Sequence, residues 1–307
     1  MRVRRAITLT IAAAAAATFC AACSTSSAAS TTGPVTAIGA ENEYADVIAQ
    51  IGGKYVNVSS IESNPNTDPH TFEASPSIAG KIASAQLVVQ NGLDYDTYMS
   101  RLENASPNSA RQVIDVQQLL GLPATTPNPH LWYKPSTMPA VAKAVADDLA
   151  KLRPSHAAYF QANVTKFDHS LQPWLTAMAQ FKAAYSGTPV AVTEPVGDYM
   201  LQAAGADIVT PFGLQADIMN GVDPSAQYVS QQENLFREHK VKVFLYNQQV
   251  TDSLTVTFLA LAHRYGIPVV GVYETMPTPG FTYQSWMLAE VNALHKAVAD
   301  KVSTQKL

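Results

Sequence analysis

Short apolar runs alternate with amphipathic segments along most of the chain. The runs that predict β-strands lie at 35–38, 55–61, 86–90, 113–116, 190–193, 208–209, 241–246 and 267–273. The segments with apolar residues three or four apart, which predict helices, lie at 41–51, 76–84, 196–204, 225–239, 255–265 and 283–302. Strands that alternate with helices in this way form βαβ units around a mostly parallel sheet. The predicted fold class is therefore α/β.

One further helical pattern is much longer than the others and covers 155–186. Its apolar residues recur at spacings of three or four and are Phe160, Val164, Phe167, Leu171, Leu175, Met178 and Phe181. A helix of about 30 residues is about 45 Å long. This is too long to cover one sheet, so we expect one long, rigid helix that joins two lobes. Pro173 should kink it, because proline removes a helical hydrogen bond.

The predicted organisation has an N-terminal lobe at 35–154, the linking helix at 155–186 and a C-terminal lobe at 187–307. Each lobe is expected to be a mostly parallel sheet flanked by helices. About 270 residues exceed one comfortable hydrophobic core, which also favours two domains.

The first 34 residues have the composition of an export signal followed by a tether. A basic start is followed by an apolar run and small residues, which is typical of a secretory signal peptide at 1–22. The run Cys20-Ala-Ala-Cys23 resembles a bacterial lipobox, although Cys20 stands where leucine is usual. We expect lipid on Cys23, a flexible tether at 23–34 and a location on the outer face of the cell membrane. The alternative is ordinary cleavage that leaves a free thiol.

Charge and cysteine content exclude several classes of function. Without the three arginines of the signal, 17 basic and 24 acidic residues remain, a net charge of −7. This balance has no basic stripe and argues against a nucleic-acid partner. Both cysteines lie at or before Cys23, so the folded part has no disulfide and must hold any metal with nitrogen and oxygen. No second apolar run reaches the about 20 residues of a membrane span.

Two histidines directly follow prolines in loops after predicted strands. They are His70 after Pro69 and His130 after Pro129. Proline fixes its own φ angle and favours an extended residue before it, so each imidazole lies on a stiff segment. Two imidazoles held in this way by separate loops are typical of two halves of one metal site.

Two glutamates follow strands of the predicted second lobe. Glu194 follows 190–193 and Glu274 follows 267–273. Ligands of parallel α/β sheets bind beyond the carboxyl ends of the strands, so these carboxylates are candidates to complete a site with the two histidines. Two nitrogens and two oxygens suit Zn²⁺ or Mn²⁺ better than Ca²⁺.

Glu43 and Asp68 lie near the strand ends of the first lobe and are candidate acceptors for a histidine ring N–H, with helix or turn capping as the alternative. The other histidines do not follow strands, and we expect structural roles for them; they are His156, His169, His239, His263 and His295. For Trp132 and Trp286 we expect core packing, with a place in the wall of the cleft as the alternative.

Several motifs occur in an order that resembles a known family. They are Asn64-Pro-Asn-Thr-Asp-Pro-His70-Thr-Phe-Glu73, Asn91-Gly-Leu-Asp-Tyr-Asp96, Asn128-Pro-His130-Leu-Trp132, Thr193-Glu-Pro195 and Gly266-Ile-Pro268. The chain is similar to the metal-binding, zinc/manganese type of solute-binding lipoprotein of bacterial ABC importers. The resemblance implies two lobes joined by a rigid helix, with the metal in the cleft between them.

The resemblance also implies a ligand set. His70 and His130 match the two N-lobe histidines, and Glu194 matches the third ligand. At the fourth position members commonly carry aspartate after threonine, whereas this chain has Glu274-Thr275-Met276. A similar subgroup implies that Glu274 serves there, with Asp68 or water as the alternatives.

The function that follows is capture of Zn²⁺ or Mn²⁺ outside the membrane and delivery to an ABC permease, by a monomer that is not an enzyme. A secreted metallohydrolase is one alternative, but a catalytic zinc site keeps one position open for water. Neither an H-E-x-x-H nor a G-x-S-x-G motif is present. An adhesin-like surface lipoprotein is the other alternative.

Overall fold

A computed structural model describes residues 33–66, Pro69, 72–277 and 279–307. The elements of the first lobe are β1 Val35–Glu41, α1 Asn42–Gly52, β2 Val56–Glu62, α2 Pro76–Ser84, β3 Leu87–Gln90, α3 Thr97–Ala105, β4 Gln112–Asp115, α4 Val116–Leu119 and α5 Thr137–Leu152. Next come α6 Ala157–Ser170 and α7 Gln172–Tyr185. The remaining elements are β5 Pro189–Val192, α8 Asp198–Ala203, β6 Asp207–Ile208, α9 Phe212–Met219, α10 Ala226–Arg237, β7 Val243–Asn247, α11 Ser253–Arg264, β8 Val269–Val272 and α12 Tyr283–Asp300.

The two sheets have the same topology. The first has the strand order β2-β1-β3-β4 and the second has the order β6-β5-β7-β8. Every pairing within them is parallel. All residues of β3, β7 and β8 are buried, as is usual for parallel strands covered on both faces by helices. The predicted α/β class with two parallel-sheet lobes is confirmed.

The predicted linking helix is two consecutive helices, which is a correction to the expectation of one. α6 ends at Ser170, and α7 begins at Gln172, with Leu171 between them. Pro173 lies in the first turn of α7, where its missing N–H is tolerated. Proline removes the hydrogen bond to the residue four positions before it, and the break at Leu171 lies between that residue and Pro173, so the predicted kink is observed as a break between two helices.

The main hydrophobic core runs through both lobes. It contains Val89 and Leu131 from the first lobe, Trp174 from α7, and Leu245 and Trp286 from the second. A shared core of this kind ties the lobes together and opposes independent motion of either one.

The chain after α12 adds to the second sheet. Thr304 forms a parallel bridge with Val270, its N–H donates to Val269 O at 2.8 Å, and its carbonyl accepts the Gly271 N–H at 2.8 Å. Among the described residues, no helix is both long and apolar enough to cross a membrane. The predicted signal peptide, the tether up to residue 32 and Cys23 lie outside the described residues.

Candidate metal centre

His130 lies in the loop between α4 and α5, and its ring is fully buried. Oδ1 of Asn128 accepts the backbone N–H of His130 at 3.0 Å and pairs with its ring Nδ1 at 2.9 Å. Because one oxygen faces both nitrogens, Nδ1 carries the proton and Nε2 keeps the lone pair that binds a metal. Nδ2 of Asn128 donates to Pro195 O at 2.7 Å, so this amide also crosses to the second lobe.

The two predicted carboxylate ligands lie close together in the second lobe. Glu194 is 2% exposed, and Glu274 is fully buried. Nδ2 of Asn247, the last residue of β7, donates to Oε1 of Glu274 at 2.7 Å and to Oε1 of Glu194 at 3.3 Å. One amide therefore holds both carboxylates at the same end of the second sheet.

Glu274 also contacts the first lobe directly. Its Oε2 lies 3.4 Å from Nε2 of His130 and accepts the Tyr95 hydroxyl at 2.9 Å. Trp132 packs edge-on against both the His130 and Tyr95 rings, with centroids 5.4 and 5.1 Å away. Trp132 and Trp286, which packs against Tyr133, are both fully buried in the main core, so the expected core packing is observed for both.

His70 and Asp68 lie outside the described residues. Asn64, shortly before them in the chain, lies beside the site. Its carbonyl accepts a hydrogen bond at 3.4 Å from Nε2 of Gln249, whose Oε1 accepts the backbone N–H of Glu274. Within the described ranges, no three His, Cys, Asp or Glu side chains are arranged to hold a metal ion. The four-ligand set therefore stays a prediction, of which the structure describes His130, Glu194 and Glu274.

Acidic side chains of the first lobe form a buried wall beside the centre. Burial raises the pKa of Glu41 and of Glu43 well above the usual range, and neighbouring acids raise both further. For Glu43 one of these neighbours is Glu274. Burial also raises the pKa of Glu62 and of Asp96 to about 7 in each case. These acids hold protons close to neutral pH, so the wall carries less negative charge than the sequence indicates.

Glu43 lies fully buried in the first turn of α1. At His130 the ring N–H faces Asn128, and because His70 lies outside the described residues, the acceptor role of Glu43 stays a prediction. Asn91, which follows β3, donates from Nδ2 to Pro129 O at 2.9 Å and so holds the peptide before the histidine. These amides were not predicted as part of the site, because asparagine has no distinctive sequence pattern, although Asn91 and Asn128 lie within the family motifs.

The remaining histidines have the structural surroundings that we expected. His156 stacks on Tyr55 with centroids 3.8 Å apart, and His295 packs edge-on against Tyr185. His169 is exposed on α6.

The chain is similar to known metal-binding proteins. The family model described as ZnuA, zinc-uptake complex component A, periplasmic, matches residues 40–297. The manganese-binding lipoprotein MntA of Bacillus subtilis (strain 168) is 28% identical over 139 residues, which are 43% of this chain and 44% of MntA. The zinc-binding protein TroA of Treponema pallidum (strain Nichols) is 27% identical over 142 residues, 45% of each chain. The matched part thus spans about half the length of these curated relatives.

A solved crystal structure of ZnuA shares the fold. Its TM-score with this chain is 0.70 at 21% identity, over 87% of this chain and 100% of the other. Because the family model covers most of the chain, from the end of β1 to the last turns of α12, the chain belongs to the ZnuA family of metal-binding components.

Proposed function

We propose that the chain captures Zn²⁺ or Mn²⁺ outside the cytoplasmic membrane and delivers it to an ABC permease. The proposed ligands are His70 and His130 from the first lobe with Glu194 and Glu274 from the second. Family membership supports this function, and the relatives named above include one manganese-binding and one zinc-binding protein.

The observation that carries the proposal is the 3.4 Å separation between Nε2 of His130 and Oε2 of Glu274. This is longer than an ordinary N–H···O hydrogen bond of about 2.7–3.2 Å. Two ligands bonded at about 2.0–2.2 Å to a tetrahedral ion lie about 3.3–3.6 Å apart. The two atoms are therefore spaced as two ligands of one ion would be.

The test is a metal titration of the wild type and of the four single alanine variants. His130→Ala, Glu194→Ala, Glu274→Ala and His70→Ala should each weaken binding strongly and leave the metal-free fold intact. His169→Ala, which removes an exposed histidine, is the matched control and should bind like the wild type. Wild-type affinity in Glu274→Ala would make the fourth ligand wrong, with Asp68 or water as the next candidate.

The choice between the two ions needs a direct measurement. Two carboxylates favour Mn²⁺, whereas zinc binds a mixed site more tightly by the Irving–Williams order. The metal content of protein purified from its native host identifies the cargo.

Membrane anchoring is part of the same proposal. Cleavage before Cys23 and lipid on its sulfur would hold a monomer beside the permease. Cys23→Ala should move the protein from the membrane fraction to the soluble fraction. An unchanged distribution would contradict the anchor without affecting the metal site.

Transport rather than catalysis fits four ligands, because they leave no position for a reactive water. The metal-loaded protein should not turn over ester, peptide or phosphate substrates. Turnover that disappears in His130→Ala would favour the hydrolase alternative.

A further inference from the structure

One face of α1 forms a polar seam with the second lobe. Asn42, Asp46 and Gln50 are four residues apart and so share this face. Asp46 Oδ2 accepts the Tyr283 N–H at 2.9 Å. Gln50 and Gln284 exchange two side-chain hydrogen bonds of 3.0 and 2.7 Å.

Asn42 is the residue of this seam that lies nearest to the candidate metal centre. Its Nδ2 donates to Met276 O at 2.8 Å, and its Oδ1 accepts the Met276 N–H at 2.9 Å. The side chain is 6% exposed, so both bonds are shielded from water. Asn42 of the first lobe is therefore hydrogen-bonded through both amide atoms to Met276, which lies two positions after Glu274.

The second lobe also hydrogen-bonds this segment, Glu274-Thr275-Met276. Oε1 of Gln249 accepts the backbone N–H of Glu274 at 2.6 Å and that of Thr275 at 2.9 Å. Three successive backbone N–H groups are thus taken by two side-chain amides, one from each lobe. A buried N–H that loses its acceptor costs the full desolvation penalty, so these bonds favour a single loop conformation.

We propose that Asn42 is a positioning residue for the metal centre, which holds the segment Glu274-Thr275-Met276 of the second lobe from the first lobe and raises metal affinity through Glu274. The inference rests on the proposed function, because it assumes that Glu274 is a ligand. Residues that orient a ligand in this way typically change metal affinity by about 10–100-fold when they are removed.

Gln50 provides a matched control on the same helix. It also pairs through both atoms of its amide across the same seam, but it lies about 12 Å further along α1. Its partner Gln284 lies on α12 and not on the loop of Glu274. A general weakening of the seam should therefore appear in both variants, whereas a positioning role belongs to Asn42 alone.

The experiment measures Zn²⁺ and Mn²⁺ dissociation constants by competition with a chromophoric chelator. The Asn42→Ala variant should bind about tenfold more weakly than the wild type. The Gln50→Ala variant should stay within about twofold, the scatter expected for a distant site. Thermal unfolding of both metal-free variants checks that each has lost a comparable seam contact. If Asn42→Ala does not fold, Asn42→Ser replaces it, because serine is favoured at helix starts.

A double variant distinguishes the inference from the proposed function. In the Glu274→Ala background, Asn42→Ala should have no further effect, because it acts through Glu274. A further tenfold loss there, or an equal loss in Gln50→Ala, would overturn the positioning role. If Glu274→Ala binds poorly but Asn42→Ala binds normally, the ligand stands and the positioning role fails. If Glu274→Ala itself binds like the wild type, both fail.

Discussion

Glu41 and Glu194 occupy the same position in the two sheets. In the first sheet, Gly39 is the last residue of β1 that pairs with β3, and Glu41 lies two residues after it. In the second sheet, Val192 is the last residue of β5 that pairs with β7, and Glu194 lies two residues after it. Within the described structure, neither carboxylate oxygen of Glu41 has a hydrogen-bond partner, and its pKa is raised well above the usual range by burial. Glu194 instead accepts a hydrogen bond from Asn247.

Asn91, directly after β3, and Asn247, at the end of β7, correspond in the same way. Asn91 lies two residues beyond Val89, and Asn247 lies two residues beyond Leu245. Asn91 holds the peptide before His130, whereas Asn247 holds the two carboxylates. The common topology therefore supplies an amide at the same place in each lobe, and each amide orients candidate ligands of its own lobe.

Removal of the Asn247 amide should impair the site through both carboxylates. We expect Asn247→Ala to weaken metal binding by about 10–100-fold. The metal-free protein should lose about 1–3 kcal/mol of unfolding free energy, since two buried carboxylates lose a donor. Chelator competition and urea unfolding measure the two effects. Asn220→Ala, in an exposed turn after α9, is the control for a generic asparagine loss. Wild-type affinity in Asn247→Ala would contradict the shared-donor arrangement.

Metal binding should weaken as the pH falls below about 6.5, the ordinary pKa of imidazole. Imidazole binds a metal only when it is neutral, so protons compete for both histidines. The logarithm of the dissociation constant should rise by up to about two per pH unit in the wild type, and by about one in His130→Ala. Titrations between pH 7.5 and pH 5 measure both slopes. A flat profile, or equal slopes in the two proteins, would argue against a site with two histidines.

Glu290 should make the metal-free protein less stable as the pH rises. It is fully buried on α12 and accepts hydrogen bonds from Trp286 Nε1 at 2.9 Å and the Tyr133 hydroxyl at 3.1 Å. Its pKa is raised from 4.5 to about 8 by burial, and the two hydrogen bonds offset only part of that rise. The folded state keeps a proton that the unfolded chain releases, so the unfolding free energy falls between pH 4.5 and about pH 8.

The matched variant for this effect is Glu290→Gln, which cannot ionise. The stability of the wild type minus that of the variant should fall by up to about 1.4 kcal/mol per pH unit across this window. Urea unfolding at pH 5, 6, 7 and 8 measures the difference. A constant difference would mean that Glu290 does not carry the proton.

Local chemistry made some elements easy to predict and others difficult. The prediction of a helix from Pro76 to about Ser84 is confirmed, because proline marks the helix start and the apolar residues are regularly spaced. The predicted elements did not include a helix at Thr137–Leu152, although its buried residues Met138, Val141, Val145 and Leu149 recur three or four positions apart. Helices α3, α4 and α9 were missed as well.

Only the residues of the candidate site that follow strands could be predicted from the sequence. His130, Glu194 and Glu274 follow strands along the chain and carry distinctive chemistry, so their positions indicate a site. Asn128 and Gln249 became recognisable only from contacts with residues that are 67 and 25 positions away in sequence. Tertiary folding creates those contacts, and neither composition nor periodicity records them.

Gly271 should be intolerant of a side chain because the C-terminal segment packs on it. A Cβ at this position would overlap the carbonyl oxygen of Gln305. We expect Gly271→Ala to lower the unfolding free energy by about 1–3 kcal/mol, the usual cost of overpacking. Gly80→Ala is the control, since Gly80 is exposed within α2 and nothing lies within 4 Å of an added Cβ. That change should stabilise by about 0.5–1 kcal/mol. Equal effects of the two alanines on thermal unfolding would contradict the packing argument.

Metal uptake should move the two lobes little relative to each other. A hinge between domains needs a few residues that absorb large φ/ψ changes. Here the core is shared between the lobes, and α1 is hydrogen-bonded to the second lobe at Met276, Tyr283 and Gln284.

The break at Leu171, between the two linking helices, is where a hinge would have to lie. Its φ and ψ of −78° and −15° remain helical, however, and Gln284 Nε2 donates to Ser170 Oγ at 2.7 Å beside it. Rotation at the break would therefore cost this contact as well as the seam of α1. Small-angle scattering of metal-free and metal-loaded protein should give the same radius of gyration. A clear fall on addition of metal would show that Leu171 acts as a hinge, and Pro173→Ala, which restores the missing helical donor, should then reduce that fall.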